Sequence, residues 1–576
     1  MIEGTPVFPD SQPAKGLLLQ VKNLSISFEQ DGATVPVVKN ISFGLHQGKL
    51  TAIVGESGSG KSVTALSLLQ LLPAAAKVTG QLLFNAGDGI NKDLVTTSFA
   101  GIRKIRGHEI AMIFQEPMTS LNPVFSCGSQ VMESLVLHKK ISRKEARQKT
   151  IELFEQVELP QPAAMLNRYP HQISGGQKQR VMIAMAMSCS PTLLIADEPT
   201  TALDVRVQKN ILQLLKKLQV QQKMSVLFIT HDLGLVAAFA DEVLVMHKGI
   251  IVEQGITEQV LRHPQHPYTK ALLACKPHKE NKGNRLPVVA DFINNNLTTE
   301  PATSSHNVSS PTPNIGQSPV LRVENLKVYF PAEKNIWGRP VSFYKAVDDV
   351  SFAVHEGETI GLVGESGCGK TTLGRSILQL VKPTSGKIWL HSQEIQNIDA
   401  AAMRHLRKDL QIVFQDPYGS LNPRITIGDA ILEPLMVHKI HPNKKIGKEK
   451  VMALLQQVNM SEDVYNRYPH QFSGGQRQRI CIARALGLEP SFLIFDESVS
   501  ALDVSVQAQV LNLINELKQQ YRFTSIFISH DLSVVHYISD RILVMNKGKI
   551  VEQGTASDIL ENPQEAYTRA LIDAIP

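Results

Sequence analysis

The residues best suited to chemistry in this chain are two glycine-rich loops of nearly identical sequence. GESGSGKS at 55–62 returns as GESGCGKT at 364–371. In the pattern GxxxxGK[ST] the glycines let backbone amides turn around an anion, the lysine reaches the β and γ phosphates, and the hydroxyl binds Mg²⁺. A glycine-rich turn is the alternative for one isolated match, but a strand pattern precedes each loop and a helix pattern follows it. We therefore predict that both loops bind nucleotide. The predicted residues are Gly55, Glu56, Ser57, Gly58, Ser59, Gly60, Lys61 and Ser62 in the first copy, and Gly364, Glu365, Ser366, Gly367, Cys368, Gly369, Lys370 and Thr371 in the second.

Two pairs of acidic residues end apolar runs, LLIADE at 193–198 and FLIFDE at 492–497. Such runs are typical of buried strands, and α/β sheets place their ligands at the carboxyl ends of strands. We expect Asp197 and Asp496 to hold Mg²⁺ through water, and Glu198 and Glu497 to act as general bases that polarise the attacking water. Taken alone, such a pair is more typical of a helix cap or a solvated loop, but its place after a phosphate-binding loop favours the site.

The spacing of these motifs indicates a duplicated domain. The two loop lysines lie 309 residues apart, and later matched landmarks lie 299 or 300 residues apart. A period near 300 fits a whole domain and is far too long for a solenoid repeat. We predict a first domain at 17–277, a polar flexible linker at 278–318 and a second domain at 319–576. As a coil of about 40 residues, the linker would span roughly 35 Å and let the two domains pair within one chain.

Composition narrows the class of protein. The 576 residues are 43% apolar and 19% charged, which is ordinary for globular domains, and no 18-residue apolar run is present. The N-terminal residues lack a secretion signal, so we expect a cytoplasmic protein. Five scattered cysteines without a CxxC pair favour free thiols over zinc or disulfides. The net charge of +6 without basic runs argues against nucleic-acid binding.

The strings SGGQKQR at 174–180 and SGGQRQR at 473–479 narrow the class of ATPase further. They resemble the signature of ATP-binding cassette (ABC) domains, and the resemblance covers nearly the whole chain except the linker and the N-terminus. Other family landmarks also match: Gln115 and Gln415 as Q-loop residues, TALD at 201–204 and SALD at 500–503 as D-loops, and His231 and His530 as switch histidines. The signature residues are Ser174, Gly175, Gly176 and Gln177, then Ser473, Gly474, Gly475 and Gln476.

The resemblance implies a fold, a dimeric site and ligand sets. The expected fold class is α/β, with two tandem P-loop NTPase domains that each combine a RecA-like core, an antiparallel β subdomain and a helical subdomain. In this family the signature helix contacts the γ-phosphate bound by the other domain, so each ATP site is composite and head-to-tail; helix N-termini favour anions. Catalysis would use Glu198, Glu497, His231 and His530. The Mg²⁺ ligands would be Ser62, Gln115 and Asp197, and Thr371, Gln415 and Asp496. Adenine would stack on Phe28 and Phe330, for which a core role is equally plausible.

Longer strings indicate a particular branch of the family. FQEPMTSLNP at 114–123, FQDPYGSLNP at 414–423, RYPHQ before both signatures, HPQHPYTKALL at 263–273 and NPQEAYTRALI at 562–572 resemble oligopeptide and dipeptide importer ATPases, here fused in one chain. This implies two membrane-spanning permease partners contacted near the Q-loops, a solute-binding protein outside the membrane, and a place on the cytoplasmic face of the cell (inner) membrane. An iron-sulfur centre is not expected, because such clusters usually need four thiolates.

Two alternatives stay open. One is a soluble tandem ABC ATPase that acts on ribosomes or nucleic acid, although the linker here is short and not basic. The other keeps transport and changes the cargo among dipeptides, oligopeptides, glutathione, nickel and peptide antibiotics. The sequence does not separate these solutes, because permeases and a binding protein select the cargo.

Overall fold

The structure is a computed structural model that describes residues 16–30, 32–85, 91–115, 120–200, 204–293, 318–334 and 340–574. It divides into two compact units, the first containing residues 1–203 and 207–273 and the second residues 204–206 and 274–575. Within the described ranges, no helix is both long and apolar enough to cross a membrane.

The first unit contains two sheets. Its strands are β1 (Leu17–Gln30), β2 (Ala33–His46), β3 (Leu50–Val54), β4 (Ala76–Phe84), β5 (Lys92–Asp93), β6 (Ile110–Ile113), β7 (Leu193–Asp197), β8 (Ser225–Thr230), β9 (Glu242–His247) and β10 (Ile250–Ile256). An antiparallel sheet has the order β2-β1-β4-β5, and a six-stranded sheet has the order β10-β9-β3-β8-β7-β6. In the larger sheet β6, β7, β8, β3 and β9 run parallel, and β10 is antiparallel to β9.

Helices cover the larger sheet and extend the unit. They are α1 (Lys61–Leu68), α2 (Phe99–Ile105), α3 (Cys127–Lys139), α4 (Arg143–Gln156), α5 (Pro162–Met165), α6 (Gly175–Met187), α7 (Val205–Gln222), α8 (Leu233–Phe239), α9 (Thr257–Arg262) and α10 (Pro267–Ala274), with a 3₁₀ turn at Pro170–Gln172. Helices α3, α4 and α6 pack against one another as a helical subdomain. One core cluster joins residues of both sheets to α1, so the sheets and the phosphate-loop helix are packed as one body.

Strands β3 and β7 explain how the sequence positions the site. Every residue of β3 (LTAIV) and of β7 (LLIAD) is buried, as continuous apolar runs in a parallel sheet require. In the six-stranded sheet only β8 separates them, so the loop after β3 and the acids at the end of β7 meet at the same edge.

After the first unit's last helix, the chain continues into a 3₁₀ turn at Lys279–Asn281 and α11 (Val289–Ile293). These residues fall within the predicted flexible linker, yet they are grouped with the second unit and bury Leu286, Val288 and Val289. The start of the predicted linker therefore differs from the expectation, because its few apolar side chains are used for packing. The rest of that linker, 294–317, lies outside the described residues.

The second unit repeats the same architecture. Its strands are β11 (Leu321–Lys334), β12 (Pro340–Val354), β13 (Thr359–Val363), β14 (Ser385–Leu390), β15 (Gln393–Glu394), β16 (Leu410–Val413), β17 (Phe492–Asp496), β18 (Thr524–Ile528), β19 (Arg541–Asn546) and β20 (Lys549–Thr555). The sheet orders are β12-β11-β14-β15 and β16-β17-β18-β13-β19-β20. These match the first unit strand for strand and confirm the predicted duplication and α/β fold class.

The helices of the second unit follow those of the first in order, with two differences. Pro417–Ser420 has no counterpart among the described residues of the first unit, and a 3₁₀ turn at Glu462–Asn466 stands where the first unit has the helix Pro162–Met165. The helices of the second unit are α12 (Lys370–Ile377), α13 (Ala400–Leu406), α14 (Pro417–Ser420), α15 (Ile427–Val437), α16 (Lys444–Gln457), α17 (Gly474–Leu486), α18 (Val504–Tyr521), α19 (Leu532–Ile538), α20 (Ala556–Glu561) and α21 (Ala566–Ile572), with 3₁₀ turns at Glu462–Asn466 and Pro469–Gln471.

Candidate nucleotide-binding sites

The first glycine of each phosphate loop permits a close approach of two backbone segments. A Cβ atom at Gly55 would lie 2.1 Å from the carbonyl oxygen of Met246, and one at Gly364 would lie 2.2 Å from that of Met545. Gly55 has φ 152° and Gly364 has φ 153°, a region that favours glycine. Each loop is therefore fixed against the strand next to β3 or β13, directly before its helix.

The loop lysines lie inside this turn. Nζ of Lys61 donates hydrogen bonds to the carbonyl oxygens of Gly55 at 2.7 Å and Glu56 at 2.8 Å. Lys370 repeats the arrangement in the second unit, with distances of 2.7 and 3.0 Å to the matching carbonyls. Both lysines are buried. Each ammonium group is therefore held at the centre of the loop, where the sequence pattern predicts the β and γ phosphates.

Oxygen ligands suited to magnesium meet beside each lysine. The Ser62 hydroxyl donates to Asp197 Oδ1 at 3.0 Å, and the Thr371 hydroxyl donates to Asp496 Oδ1 at 3.0 Å. Burial, partly offset by the Ser62 hydrogen bond, raises the pKa of Asp197 to about 6. Burial also raises the pKa of Asp496. Hydroxyl and carboxylate oxygens suit Mg²⁺, which is commonly held by one or two carboxylates together with substrate phosphates.

The described residues contain no group of three or more histidine, cysteine, aspartate or glutamate side chains that could hold a metal ion.

The second acid of each pair has an unusual backbone. Glu198 and Glu497 have φ of 45° and 48°, in the left-handed region that few residues other than glycine adopt. Both amides nevertheless donate to strand carbonyls, Glu198 to Ile229 at 3.0 Å and Glu497 to Ile528 at 2.9 Å. Strained backbone at matched positions is typical of functional sites, and here it follows directly on the strands that end at Asp197 and Asp496.

A glutamine and a histidine hold each of these glutamates. Gln115 Nε2 donates to Glu198 Oε2 at 3.0 Å, and His231 Nδ1 lies 3.4 Å from Glu198 Oε1. In the second unit Gln415 Nε2 donates to Glu497 at 2.9 Å, and His530 Nδ1 lies 3.6 Å from that carboxylate. The structure thus brings together, within each unit, the predicted Q-loop glutamine, general base and switch histidine.

The charges of the second site support an ionised base. Burial alone would raise the pKa of Glu497, but the hydrogen bond and charge of His530 outweigh it and lower that pKa. For His530, burial is outweighed in the same way by Glu497, so the histidine pKa is raised. Each group therefore favours the charged form of the other.

The signature residues begin separate helices, α6 and α17. Ser174 accepts a hydrogen bond from the Gln177 amide, whose side chain accepts in return from the Ser174 amide, and Ser473 and Gln476 form the same capping box. The glycines at 175–176 and 474–475 form the first helical turns. Their predicted role, toward nucleotide bound by the other domain, stays a prediction.

The D-loops are described only in part. In the second, the Ser500 hydroxyl donates to the Glu497 carbonyl at 2.8 Å. In the first, 201–203 lie outside the described residues, as do 116–119 after Gln115.

The aromatic residues predicted for adenine differ between the units. Phe28 packs against the first unit's core cluster, which favours the core alternative, whereas Phe330 is exposed. Phe330 pairs across strands with Tyr344, an exposed side chain whose hydroxyl donates to the Gly367 carbonyl at 2.8 Å. Sequence reasoning missed Tyr344, although an aromatic residue in β12, the strand that precedes β13 and the second phosphate loop, was an available signal. Phe330 and Tyr344 are therefore both candidates for stacking at that site.

Sequence reasoning also missed a tyrosine contact to each phosphate loop. The Glu56 amide donates to the hydroxyl of Tyr268 at 3.1 Å, and the Glu365 amide donates to Tyr567 at 3.0 Å. Both tyrosines come from the C-terminal strings at 263–273 and 562–572. Those strings pointed to a protein family, but nothing in them indicated that their tyrosines support the phosphate loops.

Comparison with known proteins agrees with this geometry. The ABC transporter family model matches residues 38–201 and 347–500, and a model described as the oligopeptide/dipeptide transporter C-terminal region matches 252–294 and 551–576. The chain is similar to the glutathione import ATP-binding protein GsiA of Pectobacterium atrosepticum, with 48% identity over 575 residues, covering 98% of this chain and 92% of that protein. It is also similar to GsiA of Escherichia coli strain K12, with 49% identity over 564 residues, covering 97% and 90%.

These relatives lend no support to the alternative of a soluble ATPase acting on ribosomes or nucleic acid. Both C-terminal family matches include the tyrosines that contact the phosphate loops, Tyr268 and Tyr567. The chain therefore belongs to the ATP-binding subunits of the oligopeptide/dipeptide ABC importer family, in the form that carries two ATPase cassettes in one polypeptide.

Proposed function

We propose that this chain hydrolyses ATP at two composite sites to drive import of a peptide or a peptide-like solute. The observation that supports two active sites is the completeness of both copies. In each unit the loop lysine, the hydroxyl–aspartate pair and the glutamate held by glutamine and histidine occupy matched positions. A degenerate copy would be expected to lack at least one of these groups.

At each site the residues have separate roles in ATP hydrolysis. Lys61 or Lys370 would exchange its loop carbonyls for phosphate oxygens and offset their charge. Ser62, Asp197 and Gln115, or Thr371, Asp496 and Gln415, would hold Mg²⁺. That ion, when bound, would offset the negative charge that develops on the phosphates. Glu198 or Glu497 would accept a proton from the attacking water, and His231 or His530 would orient that carboxylate.

The N-termini of the two signature helices would complete the ATP sites. Ser174 to Gln177 would contact the nucleotide held by Lys370, and Ser473 to Gln476 the nucleotide held by Lys61. Helix N-termini favour anions, and capping boxes already set the geometry of both termini. ATP would then favour the paired state of the two cassettes, and hydrolysis would release it.

Permease contact is proposed for the surface that follows each Q-loop. In the first unit the residues Val124, Phe125 and Leu137 are 72%, 55% and 60% exposed. In the second unit Tyr418 and Val437 are exposed at 62% and 61%. Exposed large apolar side chains that lie together can mark an interaction surface. Since these residues follow Gln115 and Gln415, we assign the contact with two membrane-spanning permeases to this surface, which would place the chain at the cytoplasmic face of the inner membrane.

The proposed cargo class follows from the relatives. Two relatives similar over nearly their whole length are named for glutathione import, and glutathione is a peptide-like solute. Cargo would be selected by the permeases and by a solute-binding protein outside the membrane, so the cassettes need not contact it.

Affinity purification tests the proposal. The Glu198→Gln, Glu497→Gln double variant, solubilised from membranes in detergent with ATP and Mg²⁺, should recover two polytopic proteins in a ratio near one-to-one, identified by mass spectrometry. Phe125→Glu with Tyr418→Glu should lose those proteins while keeping ATPase activity. Recovery of ribosomes or nucleic acid instead would overturn the transport role and leave the ATPase role intact.

A further inference from the structure

Residues 278–293, here called the strap, are attached in sequence to the first cassette but pack within the second unit. The strap contains the 3₁₀ turn at Lys279–Asn281 and helix α11, and the turn contacts α19. Leu286 is fully buried, and Val288 and Val289 are 7% and 8% exposed. The strap is therefore docked by apolar burial on the second cassette.

Two polar side chains of the second cassette bind the strap backbone. Asn512 Oδ1 accepts from the Leu286 amide at 2.9 Å, and Asn512 Nδ2 donates to the Leu286 carbonyl at 2.9 Å. The Tyr537 hydroxyl lies 2.9 Å from the Asn284 carbonyl and 3.1 Å from Asn512 Oδ1. Asn512 and Tyr537 are 6% and 5% exposed. A buried asparagine that satisfies both the amide and the carbonyl of one residue is a built backbone-recognition site, because leaving it unpaired would be costly.

The matched surface of the first cassette lacks these groups. By the 299-residue offset of the repeat, Asn512 corresponds to Gln213, and His536 and Tyr537 correspond to Ala237 and Ala238. Gln213, Ala237 and Ala238 are exposed, whereas all three second-cassette residues are buried. Over this face the first unit has a cavity of about 420 Å³, lined in part by Ala237, Ala240 and Asp241.

We propose that the strap is a nucleotide-independent clasp, recognised by Asn512 and Tyr537 and specific for the second cassette. Because the strap continues directly from the first cassette, its docking joins the two halves by a second route besides the covalent connection at 294–317. Docking involves no residue of the nucleotide sites, so the proposal of a clasp can be tested independently of the proposed ATPase activity.

Cleavage of the folded chain tests the clasp. A specific protease site inserted after Asn307 allows the purified protein to be cut between the strap and the second cassette. Size-exclusion chromatography without nucleotide should then show the two pieces eluting together. The Asn512→Leu, Tyr537→Phe variant should raise the dissociation constant of the pieces about tenfold or more, because a buried amide and carbonyl lose their partners. The matched control, Gln213→Leu, should have no effect.

Two further measurements keep the clasp testable if Asn512→Leu impairs folding. Leu286→Ser changes only the strap and should weaken association to a similar extent. In the uncut chain, hydrogen exchange at the Leu286 amide should rise about tenfold or more in the Tyr537→Phe variant and stay unchanged in the Gln213→Leu control. Complete separation of the unsubstituted pieces without nucleotide, or equal behaviour of Asn512 and Gln213 variants, would overturn the proposal.

Discussion

Replacing each candidate base in turn asks whether both cassettes hydrolyse ATP. Glu198→Gln and Glu497→Gln keep the size of the side chain and remove its charge and its ability to accept a proton. Each glutamate lies in the same setting, with a glutamine amide at 3.0 or 2.9 Å and a histidine nitrogen at 3.4 or 3.6 Å. Since the settings match, we expect the two single variants to have equal turnover.

The magnitude follows from the role of the group. A general base contributes about 10² to 10⁴ in rate, so a substituted site should retain 1% of its activity or less. If the two sites hydrolyse ATP independently, each single variant keeps half of the total turnover. If hydrolysis at one site requires the other, both single variants fall to about 1% or less. In either case the variants resemble each other, and the double variant is at or below 1%.

Steady-state release of phosphate, measured for the purified chain with saturating ATP and Mg²⁺, distinguishes these outcomes. Glu155→Gln, a charge-removing change on an exposed position of α4, serves as a control and should leave turnover unchanged. Half or more of the activity in Glu198→Gln, together with its loss in Glu497→Gln, would refute the reasoning. The two sites would then be unequal despite their matched geometry.

Three other predictions address groups outside the reacting centre. Tyr268→Phe and Tyr567→Phe each remove the acceptor for a phosphate-loop amide, and calorimetric titration should show ATP binding weakened about fivefold or more at the altered site. Burial, and then nearby lysines, lower the pKa of His536 to about 4. Below pH 6.5 the unfolded chain therefore binds more protons than the folded chain, and the free energy of unfolding falls by about 2 kcal/mol at pH 5. Urea unfolding should show this loss in the unsubstituted chain and not in His536→Ala. Cys368 is buried with a raised pKa, so a maleimide should modify it at least tenfold more slowly in the folded chain than in urea. Peptide mass spectrometry would follow the label at this position among the five cysteines, and Cys368→Ser is the control that lacks it.

Much of the nucleotide site could be predicted from the sequence because its chemistry is local in sequence. The loop lysine and hydroxyl are adjacent, and the two acids directly follow a buried apolar run. Once β3 and β7 belong to one parallel sheet, the contact between Ser62 and Asp197 follows from the common edge at which parallel strands end. The same reasoning holds for Thr371 and Asp496.

Other features of the site depend on contacts between residues far apart in sequence. Tyr268 lies 212 positions from the amide it accepts, and no periodicity links a C-terminal helix to a phosphate loop. The left-handed backbone of Glu198 and Glu497 was also not predicted, since glutamate rarely adopts it and the surrounding sheet imposes it. Phe28 is a case in which the sequence suggested a site residue and the packing favours another role. Its strand position fits a residue that stacks on adenine, but its side chain packs against the core cluster.

The strap explains why composition misled the linker prediction at its start. The predicted linker as a whole, 278–318, is rich in Asn, Ser, Thr and Pro, which is typical of a coil that cannot bury a core of its own, and this composition hid the apolar residues at 286–293. The strap does not need a core of its own, because Leu286 is buried on another domain and Asn512 satisfies its backbone. Because Asn512 binds the backbone of Leu286 and not its side chain, the sequence of the strap does not indicate the contact. The residues that indicate it are Asn512 and Tyr537 of the second cassette. The duplicated cassettes agree at the nucleotide sites and differ at Asn512 and Tyr537, so a divergence between repeats was the sequence signal for a docking surface.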